Sequence, residues 1–137
     1  MNIPYPLDYG PNWDKYSASE KAQICNGVGA KDQPQWLADL LAKLPYLYAA
    51  SLVHDIDYHT GGTSRDRRKA DLRFRRNCYI AAKHEIGNIL VRYFTRKGRR
   101  KWAFAVPLIE GGYVALRMWG RPAFNYTTAQ DKGVEQS

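Results

Sequence analysis

Apolar positions recur along this chain at the spacing of helices, and the punctuation between them is that of helix caps. Residues 37, 40, 41 and 44 are leucines in a run that opens at Pro34, a period of three to four that predicts a helix. Pro45 begins the next, which Gly61 and Gly62 end. Ser64, with Asp66 in the first turn, opens a long helix through about Ala82 and on toward Phe94, with Gly98 as the break. Arg99 to Trp119 reads as another helix, disturbed around Pro107 and Gly111-Gly112 and closed by Gly120-Arg121-Pro122. Upstream, Ser17-x-x-Glu20 is a capping box for a short helix ending at Asn26-Gly27. Pro4, Pro6 and Pro11 make residues 1–16 an extended arm, 17–126 form one helical domain, and 127–137 are expected to be a flexible tail. No strand pair is evident, so the expected fold is a small, mainly α, single domain.

Composition agrees with one packed domain. With 137 residues, of which 45% are hydrophobic, the chain can bury about two thirds of its unfolded surface. Two cysteines, Cys25 and Cys78, allow at most one bridge, and Cys78 among apolar helix neighbours is expected to be a buried free thiol. The first residues have neither a basic stretch nor an apolar one, so a Sec-type signal peptide is not expected. No apolar run is long enough to span a bilayer. The net charge of +8 gathers in Arg65 to Lys69, Arg73 to Arg76 and Arg96 to Lys101, which suits any anionic partner.

Chemistry concentrates between Ala50 and Gly61. His54 and Tyr58, four residues apart, share a helix face, and Asp55 lies one step around. Ala50, Leu47 and Val53 keep the surroundings apolar, so polar groups there need partners. An imidazole can take a proton near neutral pH, and a neighbouring carboxylate can hold a hard cation. Taken alone, His-Asp-x-x-Tyr also fits a hydrogen-bonded structural histidine. Upstream, Gly27 and Gly29 let a loop turn carbonyls inward, which with one carboxylate suits calcium; the plain alternative is a turn. Asp71 points near the side that Phe74 and Cys78 bury, where a histidine on a neighbouring helix is a suitable partner. Its alternative is an exposed carboxylate pairing with Arg67, Arg68 or Arg75.

Together, Asn26-Gly27-Val28-Gly29, His54-Asp55-x-x-Tyr58 and Ala70-Asp71-x-x-Phe74 resemble the phospholipase A2 superfamily over roughly residues 24–78. The scarcity of cysteines is similar to its compact viral and bacterial branches. Asn26 stands where the secreted enzymes place a cysteine, so packing must replace their disulfides. The resemblance implies two long antiparallel helices carrying the catalytic residues, and calcium-dependent hydrolysis of the sn-2 ester of glycerophospholipids. His54 would be the base that activates water, Asp71 would hold its far nitrogen, and Tyr58 would donate to Asp71. Calcium (Ca2+) would take the Asp55 carboxylate and the carbonyls of Cys25, Gly27 and Gly29, with the Gly27 N–H helping to stabilise the oxyanion.

The implied partner is a phospholipid membrane surface, anionic headgroups favoured, with no specific nucleic acid. Trp36, Leu37, Leu40, Leu41 and Leu44 would line an acyl-chain channel or simply pack, and Trp102, Phe104 and Leu108 would offer a membrane face that Pro107 interrupts. Delivery in a virion, by lysis or by a non-Sec route would fit such an enzyme. Two other readings compete. One is a basic helical nucleic-acid-binding or virion-assembly protein with an incidental His-Asp pair. The other, a transition-metal site of His54, His59, Asp55 and Asp57, is disfavoured because those spacings do not share one helical face.

Overall fold

Most of the described residues belong to five helices; four open on a side chain that caps their free N–H groups and one opens on a proline. The computed structural model describes residues 3–25, 35, 36, 39 and 43–127. Helix α1 (Ala18–Ile24) opens on the expected capping box of Ser17 and Glu20. Helix α2 (Pro45–Thr60) starts at its proline and stops at Gly61, whose φ of 73° is open to glycine and strained for other residues. Helix α3 (Ser64–Ile86) is opened by Thr63 and Asp66 in a reciprocal cap and ended at Gly87.

Beyond α3 the structure departs from the sequence pattern. The break falls at Gly87 and not at Gly98. Asn88 caps the Val91 N–H to start helix α4 (Ile89–Phe94), and Thr95 caps the Gly98 N–H to start helix α5 (Arg96–Trp119). Gly98 is therefore a first-turn residue. A Cβ built on it would stand 1.9 Å from the Val91 carbonyl oxygen, so the glycine is there to let α5 start against α4. The disturbance expected around Pro107 and Gly111-Gly112 is also absent, because α5 runs through both. Pro107 and Ala103 lie on the exposed side, so the Ala103 carbonyl that loses its helical donor faces water.

The core joins α2, α3 and α5. Leu47, Ala50 and Val53 meet Phe74, Cys78, Ala81 and Ala82, and Ala105, Ile109 and Leu116 close the third side. Alanines at so many of these positions allow the helices to approach closely. Burying a side chain the size of Leu47 or Phe74 contributes about 1.5–3 kcal/mol. The N-terminal arm is extended but not free. Tyr5 and Leu7 are buried in this core, and Asn77 clamps Asp8 twice, accepting from its N–H and donating to its carbonyl, each at 2.8 Å. The arm ends in a single 3-10 turn, Trp13–Lys15.

After α5 the chain makes a 3-10 turn (Arg121–Ala123) and buries Phe124 against Tyr58 and Ala70. Gly62 donates to the Asn125 carbonyl and accepts from the Thr127 N–H, at 2.9 and 2.8 Å. The docked chain thus includes Thr127, where a tail was expected to begin. Among the described residues this isolated bridge is the only β pairing, and the domain is mainly helical. No described helix is long and apolar enough to cross a membrane. The glycine loop at 26–30 lies outside the described residues, as do Leu37, Leu40 and Leu41 of the helix expected over 34–44; Trp36 is exposed and Leu44 packs on the core.

Candidate active site

Helix α2 carries His54 and Tyr58 one turn apart, and α3 carries Asp71 opposite them. All three are buried, Asp71 completely. The Asp71 Oδ1 atom lies 2.8 Å from His54 Nε2 and accepts from the Tyr58 hydroxyl at 2.6 Å. Its Oδ2 accepts from Arg117 Nη1 at 2.7 Å, and the Arg67 Nε atom is 3.8 Å away. Burial pushes the Asp71 carboxyl up, but the bonds from His54, Tyr58 and Arg117 outweigh it and hold it below the ordinary carboxylate range. Asp71 is therefore ionised and must accept. The hydrogen of this pair therefore belongs to His54 Nε2, and Nδ1 is the ring nitrogen that Asp71 does not engage.

The rest of the cluster fixes these groups. Arg67 donates from Nε to the Tyr58 hydroxyl at 3.1 Å and from Nη2 to the carbonyls of Leu116 and Arg117 at 2.6 and 3.0 Å. It is 1% exposed, so it serves as an internal brace between α3 and the end of α5. The His54 ring stacks at a tilt on Tyr58 with centroids 4.0 Å apart and meets the edge of Phe74 at 5.4 Å. Burial, together with the Asp71 charge, drives the Tyr58 hydroxyl well above its ordinary range, so it stays a neutral donor.

Asp55 is different. Its Oδ2 is screened from solvent and has no hydrogen-bond partner among the described residues. Burial pushes its carboxyl up to about 8. An orphaned buried carboxylate oxygen is costly unless something positive meets it. Cys25, the C-cap of α1, is tied to the same region, since its thiol donates to the Leu52 carbonyl at 3.3 Å. Burial and the nearby Asp55 push that thiol up to about 12, so it is inert. Cys25 is thus anchored near Asp55. Gly27 and Gly29 lie outside the described residues.

Of the donors expected for a hard cation, the described residues show a buried Asp55 carboxylate oxygen without a partner, and such an oxygen suits a hard cation. No three His, Cys, Asp or Glu side chains among the described residues come together as a metal cluster, and the expected set, mostly carbonyls, does not call for one. The transition-metal arrangement is not formed. Asp57 goes to Arg73 Nη1 at 2.7 Å and Asn12 Nδ2 at 2.9 Å, and His59 meets the edge of Tyr16. Cys78 is a buried free thiol.

Sequence reasoning placed Asp71 between two alternatives, and the fold takes the buried one: it faces His54, and the exposed carboxylate is not formed, although Arg67 at i−4 lies nearby. Arg117 was missed. It is 46 residues from Asp71, and no local pattern signals that contact. Fold and site define a small helical protein with a buried His–Asp–Tyr cluster braced by two arginines. Comparison of the chain with protein-family models, curated proteins and solved structures gave no match.

Proposed function

We propose that the protein hydrolyses the sn-2 ester of glycerophospholipids with calcium, in the manner of the phospholipase A2 superfamily that its motifs resemble. The observation that carries this reading is the His54–Asp71 pair beside Asp55, the next residue, whose buried Oδ2 has no partner among the described residues. The helices α2 and α3, taken as running antiparallel, would be the family's catalytic pair, and residues 26–30 its calcium loop.

His54 Nδ1 removes a proton from water as its oxygen attacks the ester carbonyl carbon. The imidazolium that forms is held by Asp71 through Nε2, and Tyr58 and Arg117 keep that carboxylate from turning. The proton then passes from Nδ1 to the departing glycerol oxygen as the C–O bond breaks, releasing a fatty acid and a lysophospholipid. Calcium would be held by Asp55 and the carbonyls of Cys25, Gly27 and Gly29, and when bound it would supply positive charge where the carbonyl oxygen becomes negative. The Gly27 N–H would act on the same oxygen. Magnesium, which demands a tighter octahedron, should substitute poorly.

The test is fatty-acid release from mixed phospholipid vesicles with calcium and with chelator. Release is expected only with calcium, and undiminished release in chelator would overturn the metal's role. His54→Gln should remove turnover and keep calcium binding, whereas Asp55→Asn should lose both. Equal calcium loss in the two variants, by calorimetry, would show that base and ligand are not separate. A nucleic-acid-binding role draws on the exposed basic run from Arg96 to Lys101. That reading requires His54→Ala to be harmless and truncation of Arg96 to Lys101 to abolish the main activity.

A further inference from the structure

Helix α4 is built inside out. Ile89, Leu90, Tyr93 and Phe94 lie within one helical face, at i, i+1, i+4 and i+5, and are 59%, 61%, 50% and 78% exposed. Arg92 turns the other way. It donates to the Gly87 carbonyl at 2.7 Å and lies over the Trp102 ring at 5.0 Å. A single exposed leucine needs no explanation, but four large apolar side chains gathered on one helix face do. The orientation is held by packing, because Gly98 brings the first turn of α5 against the Val91 carbonyl.

The flank of this face is strongly basic. Residues 86–109 contain no Asp or Glu, and Arg96, Lys97, Arg99, Arg100 and Lys101 are all exposed. Phe104, 59% exposed, follows Lys97, Arg100 and Lys101 on the same side of α5.

We propose that the α4–α5 corner is a docking surface for an anionic phospholipid bilayer. Ile89, Leu90, Tyr93 and Phe94 enter the boundary between headgroups and acyl chains, and the basic run lies on the lipid phosphates. Two features select a membrane. A nucleic-acid backbone would match the charge but leave the apolar face uncovered. A second copy of the chain would cover the apolar face but bring two clusters of like charge together. A bilayer with anionic lipid satisfies both, since apolar insertion and basic attraction add at one surface. The proposal deepens the phospholipid reading by naming the surface used, yet the binding it requires involves neither His54 nor calcium.

The experiment is vesicle co-sedimentation in chelator with the His54→Gln protein, so that hydrolysis cannot alter the lipid. Vesicles are phosphatidylcholine with or without phosphatidylglycerol. Binding is expected to the anionic vesicles, at least about tenfold weaker to the neutral ones, and to fall as salt rises. Adding Leu90→Glu and Phe94→Glu should weaken it by at least about tenfold while circular dichroism stays unchanged. If that pair disturbs the helix, Leu90→Gln and Phe94→Gln serve in its place. Arg99→Glu with Arg100→Glu should remove the preference for anionic lipid. Unaltered vesicle binding in the apolar variants would overturn the proposal. So would a dimer that Phe94→Glu dissociates without loss of vesicle binding, or tight duplex DNA binding with none to vesicles. Normal vesicle binding by a wild-type protein that releases no fatty acid would leave the docking surface standing and sink the hydrolytic reading.

Discussion

Asp71 shows how one residue acquires a role through its surroundings. Buried alone, a carboxylate would take up a proton, but His54, Tyr58 and Arg117 all bond to it and keep it charged. Asp71→Asn should leave the imidazole free to adopt the wrong tautomer and cut turnover by about 10²–10⁴-fold. It also removes a buried negative charge that faces two arginines, so a stability loss of about 3–5 kcal/mol is expected, and rates must be measured where the variant is folded. Tyr58→Phe removes one hydrogen bond to that charged group, worth about 1.5–3 kcal/mol, and should be the milder change in rate. A greater rate loss in Tyr58→Phe than in Asp71→Asn would reverse the order of roles.

At the scale of elements, two glycines of α5 make opposite predictions from the same helix. Gly98 sits where a Cβ would meet the Val91 carbonyl at 1.9 Å, and a backbone carbonyl cannot move aside as a side-chain tip would. Gly98→Ala should therefore cost about 1–3 kcal/mol and lower the melting temperature by several degrees. Gly111, exposed in the same helix, has nothing within 4 Å of the point where a Cβ would stand, so space is no obstacle there. Gly111→Ala should stabilise by about 0.5–1 kcal/mol, because alanine loses less backbone freedom in a helix. Thermal melts of both variants decide the matter: equal shifts would mean that the α4–α5 corner is looser than its contacts show.

For the molecule as a whole, the opposed shifts of Asp55 and Asp71 set how stability varies with pH. Asp71 is held low, so its contribution is present above the ordinary carboxylate range and is lost only as pH falls below it. Asp55 is pushed up to about 8, so the fold prefers its neutral form. Its contribution is whole below pH ~4 and is lost as pH rises toward 8. Between those limits the Asp71 term is constant, and in chelator Asp55 should make the melting temperature decline with pH. Calcium should reverse the decline, because metal binding takes the ionised carboxylate and releases a proton. Asp55→Asn should flatten the chelator profile between pH ~4 and ~8 and abolish the calcium response. A wild-type profile that rises over this range in chelator would contradict the burial of that carboxyl.

Local signals in the sequence determined the helix ends that rest on neighbouring residues. The Ser17–Glu20 box, Pro45 at the start of α2 and Gly61 at its end are all read within one turn, and all stand in the structure. The i,i+4 spacing likewise put His54 and Tyr58 on one face, and the apolar company of Asp71 pointed to a buried partner. The break after α3 was misread because Gly98 looks like a helix breaker, whereas its place is explained by a carbonyl on a different helix. Pro107 misled for the same reason: whether a missing hydrogen bond disrupts a helix depends on whether the carbonyl left over faces water. Only tertiary structure brought Arg117 to Asp71, buried Tyr5 and Leu7 under α3, and turned the apolar face of α4 outward. Those are contacts between residues far apart in the chain, chosen by which surfaces close packing brings together, and no periodicity along the sequence encodes them.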